Sequence, residues 1–125
     1  MKEPLRYLHN AREILKKAPH EGNTYLDVKP VREACGTAYL AVLEVIDEYL
    51  VSQGVSEKSL PKSADGYRRM LRKHLSVHNG KLFREFEKLY YLLHLAGYYR
   101  KLLLDVPVVK DALNAAEQFI SRISK

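Results

Sequence analysis

Val31-Arg32-Glu33-Ala34-Cys35-Gly36-Thr37-Ala38-Tyr39-Leu40-Ala41-Val42-Leu43-Glu44-Val45-Ile46-Asp47-Glu48-Tyr49-Leu50 is the stretch on which the fold turns. Val31, Ala34, Cys35, Ala38, Val42, Val45, Ile46, Tyr49 and Leu50 fall on one broad face at the helical period. From Tyr39 to Val51 the apolar residues spread over most of the circumference, so this should be the most buried helix. Asp27 is placed to cap its start, and Pro30 falls near the first turn, where a missing N–H costs little. Gly54 ends it.

Reading outward gives more helices. Leu5, Leu8, Ala11 and Leu15 form the stripe of a first amphipathic helix over residues 4–18, ended by Pro19-His20-Glu21-Gly22-Asn23. Residues 54–62 read as a loop. Ser63 then caps a third, strongly basic helix that runs to about Val77, and Asn79-Gly80 is a turn signal. A fourth helix is expected from Lys81 to about Leu102, with Leu82/Phe83, Phe86, Leu89/Tyr90, Leu93 and Ala96 as its stripe. Asp105 caps a fifth, with Pro107 in its first turn and Val109, Ala112, Ala116, Phe119/Ile120 and Ile123 facing inward. No run alternates for long enough to build a sheet, and no internal repeat occurs. The sequence therefore predicts an all-α, up-and-down bundle of four to five helices, one domain over 1–125.

Composition narrows the class. With 46% hydrophobic and 29% charged residues the chain is globular rather than disordered. No apolar run approaches the roughly 20 residues that span a bilayer. Met1-Lys2-Glu3-Pro4-Leu5-Arg6-Tyr7 lacks the layout of a signal peptide. The single cysteine, Cys35, allows no internal disulfide and no cysteine-based zinc site. These features together predict a cytoplasmic protein that does not enter a membrane. Between Lys62 and Arg84 stand seven bases (Lys62, Arg68, Arg69, Arg72, Lys73, Lys81, Arg84) and one acid, Asp65, which accounts for the whole net charge of +6. Such a patch attracts polyanions, although on a helix it is usually a solvated face and no nucleic-acid motif accompanies it.

Few groups point to catalysis. His74 and His78 share a helix face, but the Glu of a zinc-protease motif and the Glu-x-x-His pairs of a di-iron bundle are missing, so no metal is expected. Cys35 sits on an apolar stripe, where a cysteine behaves as a small hydrophobe. Glu44, Asp47 and Glu48 read as a solvent edge, or as partners of the basic third helix, before an acid–base pair. No nucleophile elbow, phosphate loop or dinucleotide fingerprint occurs, and no cofactor is expected.

The nine tyrosines are more informative. Tyr39, Tyr49, Tyr90 and Tyr91 fall on or beside core stripes, with hydroxyls able to reach a rim. Leu89-Tyr90-Tyr91-Leu92-Leu93-His94-Leu95-Ala96-Gly97-Tyr98-Tyr99-Arg100 places a histidine and a helix-weakening glycine in an otherwise core-like segment. Tyr98, Tyr99 and Arg100 stand one turn beyond His94, and an aromatic pair next to a base can stack a nucleotide. The plainer reading makes them the polar-tipped end of the core.

One spacing suggests RNA cleavage. Arg69 and His74 have four residues between them; Arg72 and His78 have five, as do Arg68 and His74. A histidine can move the proton of an attacking 2′-hydroxyl while an arginine holds the phosphate. On a continuous α-helix these pairs diverge around the axis, and with nine arginines and five histidines about one such spacing arises by chance.

Tyr7-Leu8-x-x-Ala11-Arg12-x-x-Leu15, Arg32-Glu33-Ala34-x-x-x-Ala38-Tyr39-x-Ala41, Leu93-His94-Leu95-Ala96-Gly97-Tyr98-Tyr99 and Ala112-x-x-Ala115-Ala116-x-x-Phe119-Ile120 span most of the chain. Taken together they resemble the HEPN superfamily of helical bundles. It is also similar to small bacterial bundle proteins of unassigned role. The resemblance implies either RNA cleavage by an Arg-x(4–6)-His pair at a dimer cleft, or an inactive bundle that binds nucleotides or pairs with a nucleotidyltransferase. In the tail segment His94 stands where the active type carries arginine, and Tyr98 where it carries an acid. That departure favours the inactive type. The expectation is a non-catalytic homodimer that engages a nucleotide, RNA or a nucleotidyltransferase-like partner through Arg68, Arg69, Arg72, Lys73, His94, Tyr98 and Tyr99. The rivals are a metal-independent ribonuclease using Arg69 or Arg72 with His74 or His78, and a plain protein-interaction module.

Overall fold

The computed structural model describes residues 2–76 and 80–124. It is an all-α bundle with one small addition. Helix α1 (Lys2–Lys16) is followed by a short hairpin, β1 (His20–Glu21) with β2 (Thr24–Tyr25), and then by α2 (Val28–Ser52). A single 3-10 turn, Glu57–Ser59, precedes α3 (Ala64–Leu71), which continues as a wider π-type segment over Arg72–Ser76. Helix α4 (Gly80–Leu89) likewise runs into a π-type segment, Tyr90–Tyr99, and α5 (Val106–Ile123) closes the chain.

The helix starts follow local chemistry. Asp27, Ser63 and Asp105 are all extended residues whose side chains accept a backbone N–H of the first turn, from Lys29, Gly66 and Val108 respectively. Gly54, just past the end of α2, has φ 96°, a left-handed value that glycine adopts without steric cost.

Helix α2 is the centre of the bundle. It carries ten buried residues and packs against α1, the widened Tyr90–Tyr99 segment and α5. Leu8, Ala11 and Leu15 from α1, Phe86, Leu89 and Leu93, and Ala116, Phe119 and Ile120 from α5 join it in one cluster. Phe86 and Phe119 are its largest fully buried side chains. Ion pairs fasten the outside: Arg12 to Glu117 between α1 and α5, and Arg122 to Glu85 between α5 and α4.

Four expectations need correction. The breaker Pro19–Asn23 does more than end α1: Gly22, with φ 59°, and Asn23 form the two-residue turn of a hairpin pairing His20 with Tyr25 and Glu21 with Thr24. Tyr25 donates its N–H to the Leu104 carbonyl and Val106 donates to Asn23, so the hairpin is tied to the start of α5. The fourth helix does not reach Leu102. It widens at Tyr90 and ends near Tyr99, where the Arg100 N–H bonds the Leu95 carbonyl five residues back. Tyr91 is exposed rather than beside the core: two residues from both Leu89 and Leu93, it lies on the opposite side of the helix from their stripe. The third helix changes to π-type spacing after Leu71, and Val77, its expected end, lies outside the described residues.

Candidate functional site

The widened helix and α2 meet at two glycines. A β-carbon on Gly97 would meet the Cys35 sulfur at 2.6 Å, and one on Gly36 would meet the Tyr98 ring at 2.8 Å. The two backbones therefore approach more closely than larger residues would permit. Close approach brings the side chains of both helices into register.

The result is a row of rings. Tyr90, His94 and Tyr98, spaced four apart, lie one beyond another along the widened helix: the centroids of Tyr90 and His94 are 5.4 Å apart, and those of His94 and Tyr98 6.1 Å apart. Tyr39 of α2 stacks on His94 at 5.0 Å and lies 6.0 Å from Tyr90. An arginine closes each end. The Arg32 guanidinium lies 4.7 Å from the Tyr98 ring and its Nε donates to the Tyr98 carbonyl at 3.0 Å. Arg68 lies 4.7 Å from the Tyr90 ring. Guanidinium groups over aromatic faces are attracted by the ring quadrupole, so both ends are electrostatically favourable.

A groove of about 500 Å³ runs beside this row, lined by Glu33, Gly36, Thr37, Tyr39, Leu40, Leu43, His94 and Tyr98. Its size falls within the range of small-molecule sites. The wall is mostly aromatic and aliphatic, and Glu33, Thr37 and His94 are among the residues that bring polar groups to it. Leu40 is half exposed although its neighbours Tyr39 and Ala41 are buried. Burial raises the Tyr39 phenol far above its ordinary range, so it remains a neutral hydrogen-bonding group. Cys35, under the row, is fully buried, and burial pushes its thiol up to about 12, which leaves no thiolate for nucleophilic work.

The residues singled out in the sequence separate into groups. Arg68, His94 and Tyr98 come together in the one row. Within it Arg68 is held by carboxylates on both sides: its Nε donates to both Glu87 oxygens at 2.8–2.9 Å and its Nη1 to Asp65 at 2.8 Å. Its charge is thereby compensated. Arg69 and Lys73 are exposed, and no ion pair holds either of them among the described residues. Arg72 lies over the Phe83 ring at 5.0 Å. Tyr99 is 68% exposed and Tyr98 38%. His74 is half buried, and its carbonyl accepts the Tyr49 hydroxyl. His78 lies outside the described residues. Asp47 takes its hydrogen bond from the Tyr67 hydroxyl of α3, at 2.9 Å, rather than from a base.

Arg32, Tyr39 and Tyr90 of the row, and Glu33 and Thr37 of the groove, were not among the ligand-binding residues read from the sequence. The i, i+4 recurrence of Tyr90, His94 and Tyr98 was a visible signal for the row. Nothing in the sequence marks Arg32 as its end, because that contact joins residues 66 apart.

Comparison with known proteins matches the chain to a family and to solved structures. A family model described as "Domain of unknown function (DUF5618)" matches residues 1–125. A solved structure of a protein of unknown function from Dyadobacter fermentans superposes with a TM-score of 0.79 at 32% identity, covering 97% of this chain and 89% of the other. No curated protein matches the sequence.

Proposed function

The chain belongs to the DUF5618 family, and we propose that it is a non-catalytic binding module whose ligand is a nucleotide, free or as part of an RNA strand. One observation carries this reading: the continuous row from Arg32 through Tyr98, His94, Tyr39 and Tyr90 to Arg68, flanked by an open apolar groove. A planar base fits against aromatic and leucine side chains, with Glu33 and Thr37 able to bond its edge. The Arg32 Nη groups can hold a phosphate while its Nε keeps the Tyr98 carbonyl. Arg69 and Lys73 would add contacts to a longer strand. The likeness to HEPN bundles that bind nucleotides without cutting RNA supports the same reading. A cytoplasmic location and a homodimer belong to the proposal as well.

Binding is tested by calorimetry with AMP, GMP and a short oligouridylate, beside size-exclusion chromatography for the dimer. Gly36→Ala sets a β-carbon 2.8 Å from the Tyr98 ring, which must shift out of the row, so it should weaken nucleotide binding by about tenfold, with a cooperative thermal melt showing that the variant is folded. Arg69→Glu with Lys73→Glu should weaken oligouridylate and leave AMP unchanged. Absence of binding by all three probes overturns the proposal. Degradation of the RNA in EDTA, lost on His74→Ala, would establish the ribonuclease instead.

A further inference from the structure

A second cavity lies away from the aromatic row. It opens between α1, the hairpin and the start of α5, encloses about 360 Å³, and is lined by Arg12, Leu15, Lys16, His20, Tyr25, Val106, Lys110, Leu113 and Asn114. Its floor and its rim differ in chemistry. Leu15, Tyr25, Val106 and Leu113 are all buried core residues that show an apolar surface to the cavity. The rim carries Arg12, Lys16, His20 and Lys110, and no lining residue is acidic. A concave apolar pocket with cations at its mouth favours a ligand with a greasy body and a negative head.

The rim cations are not equivalent. Arg12 is fixed by α5: its Nη2 donates to Asn114 at 2.9 Å and its Nη1 pairs with Glu117 at 2.6 Å. It forms a wall whose charge is already answered. Lys16 lies 3.5 Å from Glu13, but that pair is solvent-exposed and therefore weak. Lys110 projects from an exposed position one turn into α5. The His20 ring bonds the Gly22 carbonyl through Nδ1 and meets Tyr25 edge-on, which holds it at the cavity edge.

We propose that this cavity binds a small amphipathic carboxylate, with its hydrocarbon body on Leu15, Tyr25, Val106 and Leu113 and its head group between Lys16 and Lys110. The hairpin is then a functional wall as well as a connection. Its tie to Leu104 and Val106 keeps Tyr25 in place as part of the floor.

The test is an amide-resolved NMR titration of the full chain with octanoate, and with octanamide as the uncharged equivalent. Octanoate should shift the amides of Tyr25, Val106 and Leu113 and bind about tenfold more tightly than octanamide. Lys16→Glu with Lys110→Glu should remove that difference while leaving octanamide binding intact, which also reports that the variant is folded. Added salt should weaken octanoate alone in the unaltered protein, an arm that needs no variant. Equal affinity for the two ligands, shifts elsewhere only, or insensitivity to both charge reversal and salt overturns the proposal. The amides reported differ from those of the aromatic groove, so failure here and failure of nucleotide binding are read separately.

Discussion

Gly97 lies directly against Cys35: a β-carbon on the glycine would stand 2.6 Å from the cysteine sulfur and 2.7 Å from its β-carbon. The neighbour is the base of a side chain on the central helix, so it cannot swing aside. Gly97→Ala should therefore destabilise the protein by about 1–3 kcal/mol, the range for overpacked cores. Adding Cys35→Ala removes the sulfur but keeps the β-carbon, so it should restore only part of the loss. Urea unfolding midpoints measure both, and an unchanged midpoint for Gly97→Ala would contradict the contact.

The same burial governs reactivity. With its thiol raised to about 12, Cys35 holds roughly a thousandfold less thiolate at mildly alkaline pH than a free cysteine does. A disulfide reagent should label the native chain only as fast as it unfolds, and label it at once in urea. Equal rates in both conditions would show the side chain to be accessible.

Asp47 supplies a pH prediction. Desolvation raises its folded pKa, against a smaller lowering by the Tyr67 hydroxyl. A carboxylate with a raised folded pKa favours the fold while protonated, and that contribution is lost as pH rises through the folded value. Asp47→Asn keeps an oxygen for Tyr67 to donate to. The stability of the native chain relative to this variant should therefore fall as pH rises through the mildly acidic range. Thermal melts across that range, run in parallel, give the difference; a relative gain with rising pH would refute the sign.

Lys101 has φ 56°, a left-handed backbone on a residue with a β-carbon, just where the widened helix ends. That conformation costs roughly 1–2 kcal/mol outside glycine. Lys101→Gly should raise stability by under about 1 kcal/mol, since glycine's extra freedom when unfolded offsets part of the relief. Lys101→Val should lower it, because a branched side chain tolerates the left-handed region least. Melting temperatures that move together in one direction would argue against strain at this position.

Much of the bundle was legible because its signals are local. The caps Asp27, Ser63 and Asp105 each needed only a polar side chain ahead of a helical stripe, and all three accept the bonds their positions imply. The hairpin was less visible: two-residue strands are too short to show alternation, although Gly22-Asn23 is a known turn pair. Part of the aromatic row was written in the four-residue recurrence of Tyr90, His94 and Tyr98. The second cavity was not written anywhere, since Leu15, Tyr25 and Leu113 come from three separate elements and read singly as core.

The sequence by itself determined the helices, their order, the capped starts of α2, α3 and α5 and the gathering of positive charge around α3, because each depends on neighbours a few positions apart. Only the tertiary structure decided which charges remain open. Arg68 was one cation among several until Glu87, from the next helix, closed on it, and Arg32 was unremarkable until it met Tyr98. Such contacts depend on how closely two backbones can approach, and at Gly36 and Gly97 that distance is set by the absence of a side chain.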